Sequence, residues 1–212
     1  MTNVFAENQA TTAEDAARIV PRAEFRVFGT NLIEGIKARL WNGKTVLYQA
    51  RKMPAEMYFL SVNTNEANVK VRDGLLDIKT KVGETPDGYE IFQPRGKFQF
   101  PVGRDDLATI LSHLSVAIPL DEPSYSLEAF VGIARAHPEL VPVTVEKMRY
   151  GFTIDGIICE YAQVWFNGAM VESACVESEN YAGMQQVIAS LGISALPNTN
   201  YLKAAKRVVG LL

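Results

Sequence analysis

Alternating apolar and polar residues divide this chain into short strands joined by tight turns, with stretches of helical spacing between them. Residues Asn68 to Lys81 alternate on both sides of Asp73-Gly74, and a second alternating stretch, from about Ile157 to Glu179, folds back at Asn167-Gly168. Asp-Gly and Asn-Gly are the strongest two-residue hairpin signals, because both central residues of a type I′ turn need positive φ. Such a turn sets the register, and cross-strand partners share a face. Arg72 is therefore expected opposite Leu75, Lys70 opposite Asp77, Asn68 opposite Lys79 and Glu66 opposite Lys81. One face then carries Lys70, Arg72, Lys79 and Lys81, and the other carries Val69, Val71, Leu76, Ile78 and Val82.

The same arithmetic applies to the second hairpin. It pairs Phe166 with Ala169, Ala162 with Ser173, Glu160 with Cys175 and Ile158 with Glu177, so Glu160, Glu177 and Glu179 share a face. If Asp155-Gly156 is also a tight turn, Gly151 opposes Glu160 and Arg149 opposes Ala162. Lys147 and Arg149 then join the glutamate face of a three-stranded meander over roughly residues 141–179. Glu172 and Glu146 point the other way.

Elsewhere the pattern predicts strands over 23–29, 46–48, 56–63, 89–93 and 97–100, with Pro94 and Gly96 separating the last two. Helices are expected over 31–41, from an Asp105 or Asp106 cap to about Val116, from Ser124 or Ser126 to His137, over 181–191, and over 201–209. Many antiparallel strands with helices outside make an α+β pattern. No linker or repeat is evident, so residues 1–20 are expected as a loose tail and 21–212 as a single domain.

Composition narrows the function classes. A hydrophobic fraction of 48% and a charged fraction of 21% over 212 residues describe an ordinary globular protein. A net charge of −3 argues against a nonspecific nucleic-acid binder. No apolar stretch is long enough to span a bilayer, and the polar start, with Glu7, Glu14 and Asp15, does not resemble a secretory signal, so cytoplasm is the default expectation. Cys159 and Cys175 fall on opposite faces of the hairpin and are expected as buried free thiols. The 2 histidines lack partners for a zinc site or a catalytic triad. Nucleotide-binding glycine loops and nucleophile elbows are absent.

Two charged hairpins far apart in sequence carry the candidate chemistry. Like charges on neighbouring positions repel, so four cations on one short hairpin call for an anion or for solvent. Clustered glutamates call for a cation, typically a hard metal with oxygen ligands. Cations beside a carboxylate-held metal are the chemistry of phosphate handling.

The ordered series formed by Glu56-Met57-Tyr58-Phe59, Asn68-Val69-Lys70-Val71-Arg72, Asp77-Ile78-Lys79, Lys147-Met148-Arg149, Glu160 and Glu177-Ser178-Glu179 resembles the CYTH-like, or triphosphate tunnel, superfamily. The resemblance covers roughly residues 23–210. It implies an antiparallel β-barrel around a tunnel, with helices packed outside. Members hydrolyse inorganic or organic triphosphates or cyclise ATP. By resemblance, Lys70, Arg72, Lys79, Lys147 and Arg149 contact a small phosphorylated anion. Glu24, Glu160, Glu177 and Glu179 hold Mg²⁺ or Mn²⁺ or organise the cations, and Lys79, Glu177 and Glu179 take catalytic roles.

The chain departs from the superfamily on its first strand. The hallmark there is Glu-x-Glu-x-Lys, and this chain reads Glu24-Phe25-Arg26-Val27-Phe28. A carboxylate has become a cation, which weakens a metal site and repels the ion. Three readings stay open: a metal-dependent phosphohydrolase acting on a triphosphate, a non-catalytic binder of a phosphorylated ligand or polyanion, and a plain barrel whose charges face water.

Overall fold

In a computed structural model, residues 10–41 and 46–212 are described, with only the backbone for 46–48. Residues 1–9 of the expected loose tail lie outside them; in the rest of it, α1 (Ala13–Ala17) starts at a Thr12 cap that accepts from the Asp15 amide. Eight strands close into an antiparallel barrel in the order β1 (Arg22–Gly29), β10 (Ala169–Ser178), β9 (Ile157–Phe166), β8 (Leu140–Ile154), β2 (Val46–Ser61), β3 (Ala67–Arg72), β4 (Leu75–Glu84) and β5 (Glu90–Gln99). Two further strands, β6 (Val102–Gly103) and β7 (Ser124–Tyr125), form a small separate pair. Among the described residues no helix is long and apolar enough to cross a membrane.

The turns act as the sequence predicts. Asp73-Gly74, Asp155-Gly156 and Asn167-Gly168 all have positive φ, from 48° to 86°. They set the expected registers: Lys70 opposite Asp77 and Asn68 opposite Lys79, Glu160 opposite Cys175, Arg149 opposite Ala162, and Gly151 opposite Glu160.

Other boundaries differ from the pattern. The strands expected at 46–48 and 56–63 are one long strand, β2, which runs through Pro54. Those expected at 89–93 and 97–100 are both β5, where Pro94 and Gly96 mark an irregularity within a continuous strand. The helix α3 (Arg104–His113) begins at Gly103, which makes no side-chain cap bond. Asp105 and Asp106 lie in its first turn instead, where carboxylates favour the positive end of the helix dipole. The helix expected from Tyr181 opens as a 3₁₀ turn and continues as α5 (Met184–Ser190). The remaining helices are α2 (Leu32–Trp41), α4 (Leu127–Ala136), capped by Ser126, and α6 (Tyr201–Val208), capped by Asn200.

The chain falls into two compact units, the first of Met1–Ile19, Glu56–Thr80 and Gln93–Val143, the second of Val20–Ala55, Lys81–Phe92 and Thr144–Leu212. Each has its own apolar core on one side of its strands. In the first unit Val69, Val71, Leu76 and Ile78 pack with Leu107, Ile110 and Leu111 of α3 and with Phe130 of α4. In the second, Phe25, Val27, Phe152, Cys159 and Val176 pack with Ile33 and Ile36 of α2 and with Val187 and Ile188 of α5. Glu172 serves this packing: from β10 its carboxylate accepts the Ile33 amide at 3.0 Å, in the first turn of α2. Because alternate strand residues point to opposite faces, the face turned away from each core holds the charges.

Candidate functional site

In the first unit, the charged face is laid down by β2, β3 and β4. Tyr58 pairs with Lys70, whose ammonium lies 5.3 Å from the ring centroid. Arg72 reaches Asp77 at 2.8 Å through Nη2 and Glu56 at 3.6 Å through Nη1, and Lys70 lies 4.0 Å from the same Glu56 oxygen. Glu56 and Asp77 are each 2% exposed, so these are buried carboxylates held by cations. The Arg72 Nε–H is buried with no acceptor among the described residues, and Asn68 Oδ1 on the same face is buried without a donor.

Lys97 of β5 joins this group. Burial lowers its pKa; Asp77 partly restores it, and the like charges of Arg72 and Lys79 lower it again. The irregularity at Gly96 (φ 153°) places it there. Arg95 bonds Thr80 and Phe98 packs on the apolar core, so strict alternation is lost between them. Lys79 shares the charged face by register but is exposed.

The charged face of the second unit is built on β1, β10, β9 and β8. Arg26, 5% exposed, is its centre. Its Nε and Nη2 donate to the two oxygens of Glu24 at 2.9 and 3.2 Å, and its Nη1 donates to Glu160 at 3.3 Å and to Ser173 at 3.2 Å. The other Glu160 oxygen pairs with Arg149. Burial opposes the charge of Arg26, but Cys175, Glu24, Tyr201 and Glu160 outweigh it and hold the guanidinium well above its ordinary pKa. Arg22 bridges Glu177 at 3.3 Å and Glu179 at 3.2 Å.

The ring of Tyr201, the first residue of α6, lies 4.6 Å from the Arg26 guanidinium carbon and 4.5 Å from Lys147 Nζ. Phe28, at the position of the expected lysine, packs edge-on against this ring at 5.2 Å. Glu90 fixes the helix: its carboxylate accepts from Asn200 and from Lys203, each at 2.9 Å, with Lys81 at 3.7 Å.

No protein-family model and no curated protein sequence matches the chain. Solved structures do match in fold. An adenylyl cyclase candidate from Hippeastrum, described as having a dominant triphosphatase activity, is 10% identical over 92% of this chain and 97% of its own, with a TM-score of 0.51. A conserved hypothetical protein from Pyrococcus furiosus is 13% identical over 85% of this chain and 98% of its own, with a TM-score of 0.49. An adenylate cyclase candidate from Bacillus halodurans is 14% identical over 88% of this chain and 98% of its own, with a TM-score of 0.46.

The chain has the CYTH-like, triphosphate-tunnel fold.

Within that fold, each residue singled out from the sequence has a definite place. Lys70 and Arg72 lie together, with Lys79 exposed on their face. Glu24 and Glu160 converge on Arg26, and Arg149 pairs with the other Glu160 oxygen. Glu177 and Glu179 hold Arg22, and Lys147 faces Tyr201. Sequence reasoning missed Glu56, Lys97 and Tyr201, left Glu90 evenly between a tunnel acid and an exposed strand charge, and left Asp77 out of the cationic strip although its register already paired it with Lys70.

The divalent ion implied by resemblance has a candidate donor group in Glu24, Cys175 and Glu177, whose ligand atoms lie within 4.8 Å of one another. Both Glu24 oxygens already accept from Arg26, and Glu177 accepts from Arg22. Burial raises the Cys175 pKa well above its ordinary value, which keeps the thiol protonated. Mg²⁺ and Mn²⁺ prefer unencumbered oxygen ligands. In this arrangement the group does not fit them.

Proposed function

We propose that this protein binds a triphosphate-type anion through the charged face of its first unit. The buried Arg72 Nε–H, with no acceptor among the described residues, carries this reading. A buried donor left unsatisfied costs about 1–3 kcal/mol, and a phosphate oxygen supplies the missing acceptor. Charge balance supports it too: Lys70, Arg72, Lys79 and Lys97 share a face with two buried carboxylates, Glu56 and Asp77. An anion of several negative charges offsets the burial and the like-charge repulsion that lower the Lys97 pKa. Titration calorimetry with tripolyphosphate and with ATP tests this reading, and absence of heat with both at millimolar concentration sinks it.

Metal-dependent hydrolysis of an inorganic or organic triphosphate is the second reading, motivated by the fold shared with the Hippeastrum protein described as having a dominant triphosphatase activity; the grouping of Glu24, Cys175 and Glu177 counts against it. In that case the cations position the substrate and stabilise charge developing on the transferred phosphoryl group. Phosphate release from tripolyphosphate or nucleoside triphosphates with Mg²⁺ or Mn²⁺ decides between turnover and binding alone.

A further inference from the structure

The second unit carries a cation at the centre of its carboxylates. Arg26 is nearly inaccessible, and its Nε, Nη1 and Nη2 all donate to acceptors: both oxygens of Glu24, one of Glu160 and the Ser173 hydroxyl. Arg149 takes the remaining Glu160 oxygen, and Arg22 holds Glu177 and Glu179. Four carboxylates thus stand with three arginines and with Lys147, which, like Arg26, lies against the Tyr201 ring.

A divalent ion placed among these groups meets a guanidinium that cannot shed its proton, and the like-charge repulsion at such distances is several kcal/mol at an effective dielectric of about 20. We infer that Arg26 acts as a resident cation in place of a divalent metal, so that anion binding by this protein is metal-independent and its carboxylates form a divalent site only when Arg26 is removed. This inference rests on the anion-binding reading above and adds to it the identity of the positive charge that organises the carboxylates. The guanidinium is held by planar, bidentate geometry on Glu24, which a lysine could not reproduce.

Two titrations of the 212-residue protein test this. In the first, tripolyphosphate is titrated calorimetrically in excess EDTA. Binding in EDTA is expected. No binding in EDTA followed by binding with Mn²⁺ overturns the inference and leaves the anion-binding reading standing, whereas no binding in either condition overturns that reading itself. In the second, Mn²⁺ alone is followed by its paramagnetic resonance signal. The wild type is expected to leave micromolar Mn²⁺ free, and Arg26→Gln to bind it, with affinity raised by about a hundredfold or more as the carboxylates lose their cation. Tight Mn²⁺ binding by the wild type overturns the inference, as does a folded Arg26→Gln protein that gains none. Should Arg26→Gln fail to fold, Glu24→Gln keeps the test open. Tripolyphosphate affinity is expected to be the same with Mn²⁺ as in EDTA for that variant and for the wild type; an affinity that Mn²⁺ raises in the wild type and not in Glu24→Gln marks Glu24 as a metal ligand and overturns the inference.

Discussion

The charged faces of the two units hold equal numbers of cations and handle their burial differently. In the second unit Arg22, Arg26, Arg149 and Lys147 stand with Glu24, Glu160, Glu177 and Glu179, and every arginine is ion-paired. In the first unit Lys70, Arg72, Lys79 and Lys97 share a face with the buried Glu56 and Asp77, one Arg72 N–H has no acceptor among the described residues, and the Lys97 charge is disfavoured. A buried charge with a full set of partners is part of the architecture, because its neighbours satisfy it in the absence of ligand. A cationic face with a donor to spare is what the proposed anion site requires. On that reading, similar residue types on similar strands serve organisation in one unit and recognition in the other.

The largest effect that separates them is on stability. Removing one member of a buried ion pair costs about 3–5 kcal/mol, because the partner is left charged and desolvated. Arg26→Met takes the guanidinium away from both oxygens of Glu24 and from one oxygen of the buried Glu160, so chemical denaturation is expected to show a loss of that size. Lys97→Met removes a cation that burial and like charges already disfavour, so its stability should change by less than about 1 kcal/mol, the range of ordinary surface changes. If the two substitutions cost the same, the contrast between organising and recognising charge is wrong.

How much of this was legible in the sequence follows from where the turns are. Three two-residue turns fix the registers of β3 with β4 and of β8, β9 and β10, and these placed Lys70, Arg72, Lys147, Arg149, Glu160 and Glu177 on the correct faces. Glu56 lies on β2, which no tight turn joins to its neighbour, so nothing local showed which way it points. Lys97 was hidden by the irregularity at Gly96, which breaks the alternation that face assignment depends on. Tyr201 opens a helix distant in sequence from the strands it covers, and helical spacing alone does not say what the helix packs against. The displaced acid at Arg26 was legible as a substitution. Its consequence, a guanidinium buried among carboxylates, needed the positions of Glu160 and Ser173 around it.

The next effect is on affinity. Lys97→Met should weaken tripolyphosphate binding about tenfold, the loss expected for one charge-assisted contact of ~1.4 kcal/mol. Wild-type affinity in that variant would move the recognition face away from Lys97. The titration of Lys97 gives a third test. Its folded pKa lies below the ordinary 10.5, so the unfolded chain binds more protons in the window between those values. Its unfavourable contribution is fully present below the folded pKa, and stability rises as pH climbs through that window. A bound anion favours the charged amine, so binding takes up a proton where the free amine is partly neutral, and affinity falls as pH rises through the free-protein pKa. Calorimetry in two buffers of different ionisation enthalpy measures that uptake; none, or proton release, places the anion elsewhere.

The smallest effect concerns the two thiols, and it probes the neutrality of the second face directly. Cys159 sits in the apolar core, where burial pushes its pKa up to about 12. Cys175 sits opposite Arg26 in the register, where an uncompensated guanidinium would favour the thiolate and make it reactive. Burial is the largest influence on Cys175, and Glu24, Glu177 and Glu160 offset much of what Arg26 does, so its pKa also rises well above the ordinary value. Both thiols are therefore expected to resist a thiol reagent at pH 8 in the folded protein and to react together on unfolding. Selective native-state labelling of Cys175 would mean that the Arg26 charge is not cancelled by its carboxylates. The second face would then hold a cation with unspent charge, and the difference between the two units would disappear.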